Sequence, residues 1–143
     1  MKIAILIAGG LLGFVFVASG LVVLLSNAAP PAPPEGTAAA HFMAAFMPTG
    51  YMKFVKVLEV VGGLLVAIPR TRRAGLLILG PILINILAYH AFVMKGEGLF
   101  SPVLLALVAV TLFLTWAERA AFARFLAPTC PPVDGSFVEE KKA

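Results

Sequence analysis

Apolar residues fall into four long runs along this chain, separated by short polar or proline-rich stretches. Ile3 to Leu25 carries no charge. Tyr51 to Ile68 is apolar except for Lys53, Lys56 and Glu59. Ala74 to Met94 is interrupted by Pro81 and contains Asn85 and His90, and Leu99 to Ala117 is the fourth run. A helix needs about 20 largely apolar residues to cross roughly 30 Å of hydrocarbon, and each run is near that length. No alternation of period two runs through them, which argues against a barrel. Backbone groups in lipid must be satisfied within the segment, so the runs are helices. The pattern predicts an all-α integral membrane bundle of four transmembrane helices, spanning 3–25, 51–68, 74–94 and 99–117.

The connections add detail. The outer connection, 26–50, begins with Ala28-Ala29-Pro30-Pro31-Ala32-Pro33-Pro34, stiff and extended because proline fixes φ and removes donors. From Thr37 to Met47 the spacing of Phe42 with Phe46 and Met43 with Met47 predicts a short extra-membrane helix on the outer face. Pro48-Thr49-Gly50 then turns the chain back. The bundle and its connections occupy 1–126, and 127–143 is expected to be a polar, proline-broken cytoplasmic tail. The first run is longer than the 7–15 residues of a signal-peptide core, so the expectation is a retained helix.

Composition agrees with the pattern. Of 143 residues, 61% are hydrophobic and 13% charged, with mean hydropathy +1.02. A soluble domain carries roughly a quarter of its residues charged. Disorder, nucleic-acid binding and a secreted disulfide scaffold are excluded on the same arithmetic, and the single cysteine, Cys130, allows no internal disulfide. The net charge of +4 reads as topology. Lys2, Arg70, Arg72, Arg73, Arg119, Arg124, Lys141 and Lys142 fall on one side, against Lys53, Lys56 and Lys95 on the other. The positive-inside rule places both termini in the cytoplasm, in a multi-pass protein of the inner (cytoplasmic) membrane.

Ionisable groups within a span are costly and mark candidate sites. At 1.5 Å per residue, Glu59 and Asn85 lie about 12 and 13 Å below the outer ends of their helices, and Lys56 and His90 about 6–8 Å. Two polar layers follow, Glu59 with Asn85 and Lys56 with His90 or Tyr89. Lys56, Glu59 and Gly63 share a face through i+3 and i+4 steps. Two readings of this set stand side by side. It lines a functional cavity, or a Lys56–Glu59 pair neutralises itself while Asn85 fixes helix packing. Gly9 and Gly13, with Gly20 further along, form a small-residue packing seam. Thr111, Thr115 and Glu118 line one stripe of the fourth run. His41 is a further outer-face candidate, but the nearby methionines at helical spacing read as filler, and no metal site is expected.

Bis-histidine haem ligation would need two histidines in the bundle, and only His90 lies in a span. There is no haem-attachment motif, nucleotide loop or nucleophile elbow. No cofactor is expected on the chain's own ligands, although a quinone or lipid fits the polar layers.

Several stretches resemble the DoxX family of small four-helix membrane proteins. They are Phe16-Val17-Ala18-Ser19-Gly20-Leu21, Thr49-Gly50-Tyr51, Leu58-Glu59-Val60-Val61-Gly62-Gly63, and Pro81-Ile82-Leu83-Ile84-Asn85 followed by His90. The likeness covers roughly residues 10 to 120. It departs after Ser19-Gly20, where many members carry a basic residue and this chain has Val22, Val23 and Leu24. The resemblance implies a setting in membrane redox chemistry, and Glu59, Asn85 and His90 are its matched polar positions; Lys56 and His41 come from spacing alone. The expectation is an accessory subunit, not catalytic alone, of a quinone-linked electron-transfer complex, with membrane lipids and other integral subunits as partners. The alternative is a stand-alone binder or oxidoreductase for a quinone or another lipid-soluble molecule, using Lys56, Glu59, Asn85, Tyr89 and His90.

Overall fold

The computed structural model describes residues 1–26 and 32–126. The tail from 127, with Cys130, and the segment 27–31 at the start of the proline-rich stretch lie outside the described residues. Among the described residues six α-helices follow in order: α1 (Lys2–Ser26), α2 (Ala38–Phe46), α3 (Tyr51–Ala67), α4 (Arg72–Ala88), α5 (Pro102–Ala117) and α6 (Arg119–Leu126). A π-helical turn, Tyr89–Val93, continues α4. No strand occurs among the described residues. The fold is all-α.

Local chemistry sets the helix ends. Thr37 caps α2, its hydroxyl accepting from the Ala40 amide at 3.2 Å. Gly50, at φ 77°, makes the left-handed turn into α3. Ile68 precedes Pro69 and is extended, which stops α3 at Ala67. Ser101 caps α5 with Pro102 in its first turn, so this helix starts three residues later than the apolar run that begins at Leu99. Pro81 does not interrupt α4. It lies on the exposed side and the helix passes through it.

Lys2–Ser26 and Arg72–Val93 are long and apolar enough to cross a membrane. Pro102–Ala117 and Arg119–Phe125 make a third candidate only if they are one broken span, since they meet at a 65° bend. The apolar run ends at Ala117, and α6 follows beyond it as a short helix that the run does not predict. At 17 residues, α3 reaches about 26 Å, short of roughly 30 Å of hydrocarbon, and holds three charges. Four complete spans are therefore more than length and composition establish. Large apolar side chains cover the outer surface, among them Phe14, Ile84, Phe92 and Leu112, a surface compatible with lipid.

The core lies between α1, α3 and α4, built from Leu12, Phe16, Val66, Leu76, Leu79 and Ile82, with Leu114 from α5. Glycine sets its dimensions. A Cβ at Gly63 would sit 2.9 Å from the Gly13 carbonyl oxygen, and one at Gly20 would sit 3.1 Å from that of Lys56. On the other side of α3, a Cβ at Gly62 would meet Leu79 at 2.8 Å, and one at Gly75 would meet the Gly62 carbonyl at 2.8 Å. Both helix pairs thus pack nearly backbone to backbone. By contrast, α5 touches α1 and α4 more thinly.

Gly10 supplies an internal control, because nothing lies within 4 Å of a Cβ added there. Gly10→Ala is expected to be neutral or to stabilise by up to about 1 kcal/mol through helix propensity. Gly13→Ala should destabilise by about 1–3 kcal/mol, the usual range for overpacking. Thermal unfolding of both variants in detergent measures the difference. Equal midpoints would show that the seam is not tight.

Candidate functional site

Glu59 is the one carboxylate within α3 and is only 3% exposed. Helical spacing puts Lys56 one turn earlier on the same face. Its ammonium donates to both carboxylate oxygens, at 2.9 Å to Oε1 and 2.8 Å to Oε2. A two-pronged, charge-assisted contact of this kind offsets much of the desolvation cost of a buried carboxylate. The Lys56 side chain is itself 23% exposed, so the pair is closed on the acid side and open on the ammonium side.

The third member comes from α1. Ser19 Oγ is 3.4 Å from Glu59 Oε2 and 3.2 Å from the Phe16 carbonyl, so its single proton is shared between two acceptors. The glycine seam delivers it. Bare Gly20 lets α1 approach the Lys56 carbonyl, and the neighbouring Ser19 thereby reaches the carboxylate. In the sequence Ser19 stands out only as part of the Phe16–Leu21 motif. The available signal was depth: Ser19 lies about 10 Å from the Ser26 end of α1, and Glu59 about 12 Å from the start of α3.

The two expected polar layers are not formed. Asn85 is exposed and makes no side-chain hydrogen bond among the described residues, so it does not meet Glu59. Leu79, Ile82 and Leu83 take the inward face of α4, and Asn85 falls about 120° round the helix from Leu79. His90 does not meet Lys56 either. Its Nδ1 is 2.8 Å from the Glu97 carbonyl oxygen, and its ring lies against Gly98, fastening the loop after the π-helical turn. Tyr89 packs edge-on to His90, with ring centres 5.7 Å apart, and against Phe42 at 5.2 Å. Phe46 and Tyr51 extend this group into a run of aromatics at one end of the molecule. His41, on α2, is exposed. No three His, Cys, Asp or Glu side chains converge among the described residues.

A second charged constellation, missed in the sequence, occupies the opposite end. Arg72 opens α4 yet is only 4% exposed. Its Nε donates to the Val66 carbonyl at 3.3 Å, and Nη1 lies 4.0 Å from Glu118 Oε1. Arg73 Nε donates to the other Glu118 oxygen at 2.9 Å. One carboxylate at the bend after α5 thus serves two guanidiniums of α4. Positions 70–73 read in the sequence only as a topology signal. Nearby, Thr115 donates to the Thr111 carbonyl at 2.8 Å, and the Thr111 hydroxyl is buried without a partner among the described residues.

The geometry at Glu59 predicts an asymmetric mutant cycle. Lys56→Met strands a buried carboxylate and should cost about 3 kcal/mol, the lower end for a broken buried pair. Glu59→Leu should cost less, because the partly exposed lysine can extend toward water. The double variant should recover most of the loss. Unfolding midpoints in detergent measure all three, and equal single-variant losses would contradict the one-sided burial.

The chain matches no protein-family model, no curated protein and no solved structure, so the DoxX likeness rests on the residues quoted for it.

Proposed function

We propose that this is a DoxX-like four-span membrane protein, with both termini cytoplasmic, that serves as a non-catalytic accessory subunit of a quinone-linked membrane redox complex. The observation that carries the subunit reading is Asn85. An amide on the exposed side of an apolar helix, without a partner among the described residues, is costly in hydrocarbon and is satisfied by bonding to a neighbouring helix. Exposed Pro81 and Ile84 flank it and offer apolar contact around the polar point. In this reading α3 completes a span although it is short, with Lys53 extending to the interface and Lys56 neutralising Glu59. The lysine and arginine distribution supports the orientation.

A second reading has its own observation. The ammonium of the Lys56–Glu59 pair is partly exposed and offers a hydrogen-bond donor, which suits a quinone carbonyl. There the protein binds the quinone itself.

Purification in mild detergent separates the two. The subunit reading expects a cofactor-bearing membrane protein to co-purify, and Asn85→Leu to release it while the isolated chain keeps its unfolding midpoint. A homomeric peak, unchanged by Asn85→Leu, overturns it. Orientation is measured in a Cys130→Ala background. Glu97→Cys should react with an impermeant thiol reagent in intact cells and Arg70→Cys only after lysis; the reverse pattern inverts the topology.

A further inference from the structure

A cleft of about 370 Å³ opens where α1 and α4 both begin, lined by Lys2, Ile3, Ile5, Leu6, Pro69 and Arg72. We infer that it binds the phosphate of an anionic phospholipid, with Lys2 and Arg72 at the headgroup and an acyl chain running down over Ile3 and Leu6. The inference is independent of the redox-subunit reading and of the Lys56–Glu59 pair.

Arg72 is the first argument. A guanidinium has five N–H donors, and burial makes each unsatisfied one costly. Of the nitrogens of Arg72, Nε has the Val66 carbonyl and Nη1 a distant Glu118, whose other oxygen Arg73 engages. Nη2 is buried and has no hydrogen-bond partner among the described residues. The guanidinium lies against Gly9, one turn along α1 from Ile5 on the cleft wall, where a Cβ would come within 2.9 Å of both Nε and Nη2. A buried cation with a spare donor and half a counter-ion calls for a further anion.

The start of α4 is the second argument. The hydroxyl of Thr71, its N-cap residue, donates to the Leu65 carbonyl at 2.9 Å and makes no cap. The first turn holds no acidic residue. Its free amides and the positive end of the helix dipole therefore add to the charge of Arg72. Among the described residues Glu118 contacts Arg72 and Arg73, while Lys2 and Arg70 also lie at this end, so positive charge is in surplus.

The walls select the ligand. Ile3, Ile5 and Leu6 are apolar, and Ile3 and Leu6 continue into the exposed apolar face of a helix long enough to span a membrane. Phosphate next to a long apolar strip is phospholipid chemistry, and basic pockets between helix ends hold such headgroups. Free phosphate would gain nothing from the strip.

The test uses the full chain in detergent, titrated with phosphatidylglycerol, phosphatidylcholine or inorganic phosphate, with adducts counted by native mass spectrometry. Phosphatidylglycerol should bind more tightly than phosphatidylcholine. Lys2 is exposed, so Lys2→Gln leaves folding intact and should weaken phosphatidylglycerol about fivefold, one cation's share near a lipid surface. Lys95→Gln, a change at the opposite end of the molecule, should leave binding unchanged. Equal binding of the two lipids overturns the inference, as does an equal effect of Lys2→Gln and Lys95→Gln. Inorganic phosphate that binds alone and displaces the lipid would make this a free-phosphate site and overturn the lipid assignment.

Discussion

Close approach of α1 to α3 along a line of glycines is the constraint on which the other contacts depend. In lipid no hydrophobic force drives helices together, so association rests on van der Waals contact and on polar groups brought within reach. Gly13 and Gly63 meet where no Cβ fits, and Gly62 with Gly75 repeats the arrangement on the other side of α3. Between these two contacts α3 is held by two backbones. Leu12, Phe16, Val66 and Leu79 fill the space that remains, each at most 3% exposed.

The same seam governs the charges. Near one end Gly20 brings α1 against Lys56, so that Ser19 reaches the Glu59 carboxylate. Near the other, Gly9 leaves room for the Arg72 guanidinium. Each end of α1 thus accommodates a charged group from another helix where a larger side chain would exclude it. The two sites are solved differently. Glu59 has a local cation one turn away, whereas Arg72 depends on a carboxylate 46 positions later and receives only half of it. A buried ion with incomplete pairing is expensive. The shortfall therefore lies at Arg72.

Helices outside the seam are held by other means. Glu118 ties the end of α5 to the start of α4 at the point where the chain bends by 65° into α6. At the opposite end Phe42, Phe46, Tyr51 and Tyr89 join α2 to the π-helical turn, and tyrosine is an amphipathic aromatic that favours the membrane–water interface. Asn85 belongs to neither arrangement. It sits on the exposed side of α4 and makes no side-chain hydrogen bond among the described residues.

Local chemistry made much of this legible from the residues alone. The all-α class follows from long, largely apolar runs and the need to satisfy the backbone internally. The short helix α2 follows from the Phe42/Phe46 and Met43/Met47 spacing, and the Lys56–Glu59 pair from i,i+3 geometry, which any helix enforces. The glycine face of α1 was visible for the same reason. What spacing along one helix cannot determine is its rotation against a neighbour. The fit of Gly75 onto α3 turns α4 so that Leu79 and Ile82 face inward, which puts Asn85 outside and leaves His90 to hold a loop. Ser19 and Glu118 reach their partners across 40 and 45 positions of chain, through packing that no local pattern encodes. Arg72 shows the contrast most sharply. A sequence weighs its charge for topology, but only the tertiary structure shows that Gly9 and Val66 enclose it, because burial belongs to neighbours and not to the residue.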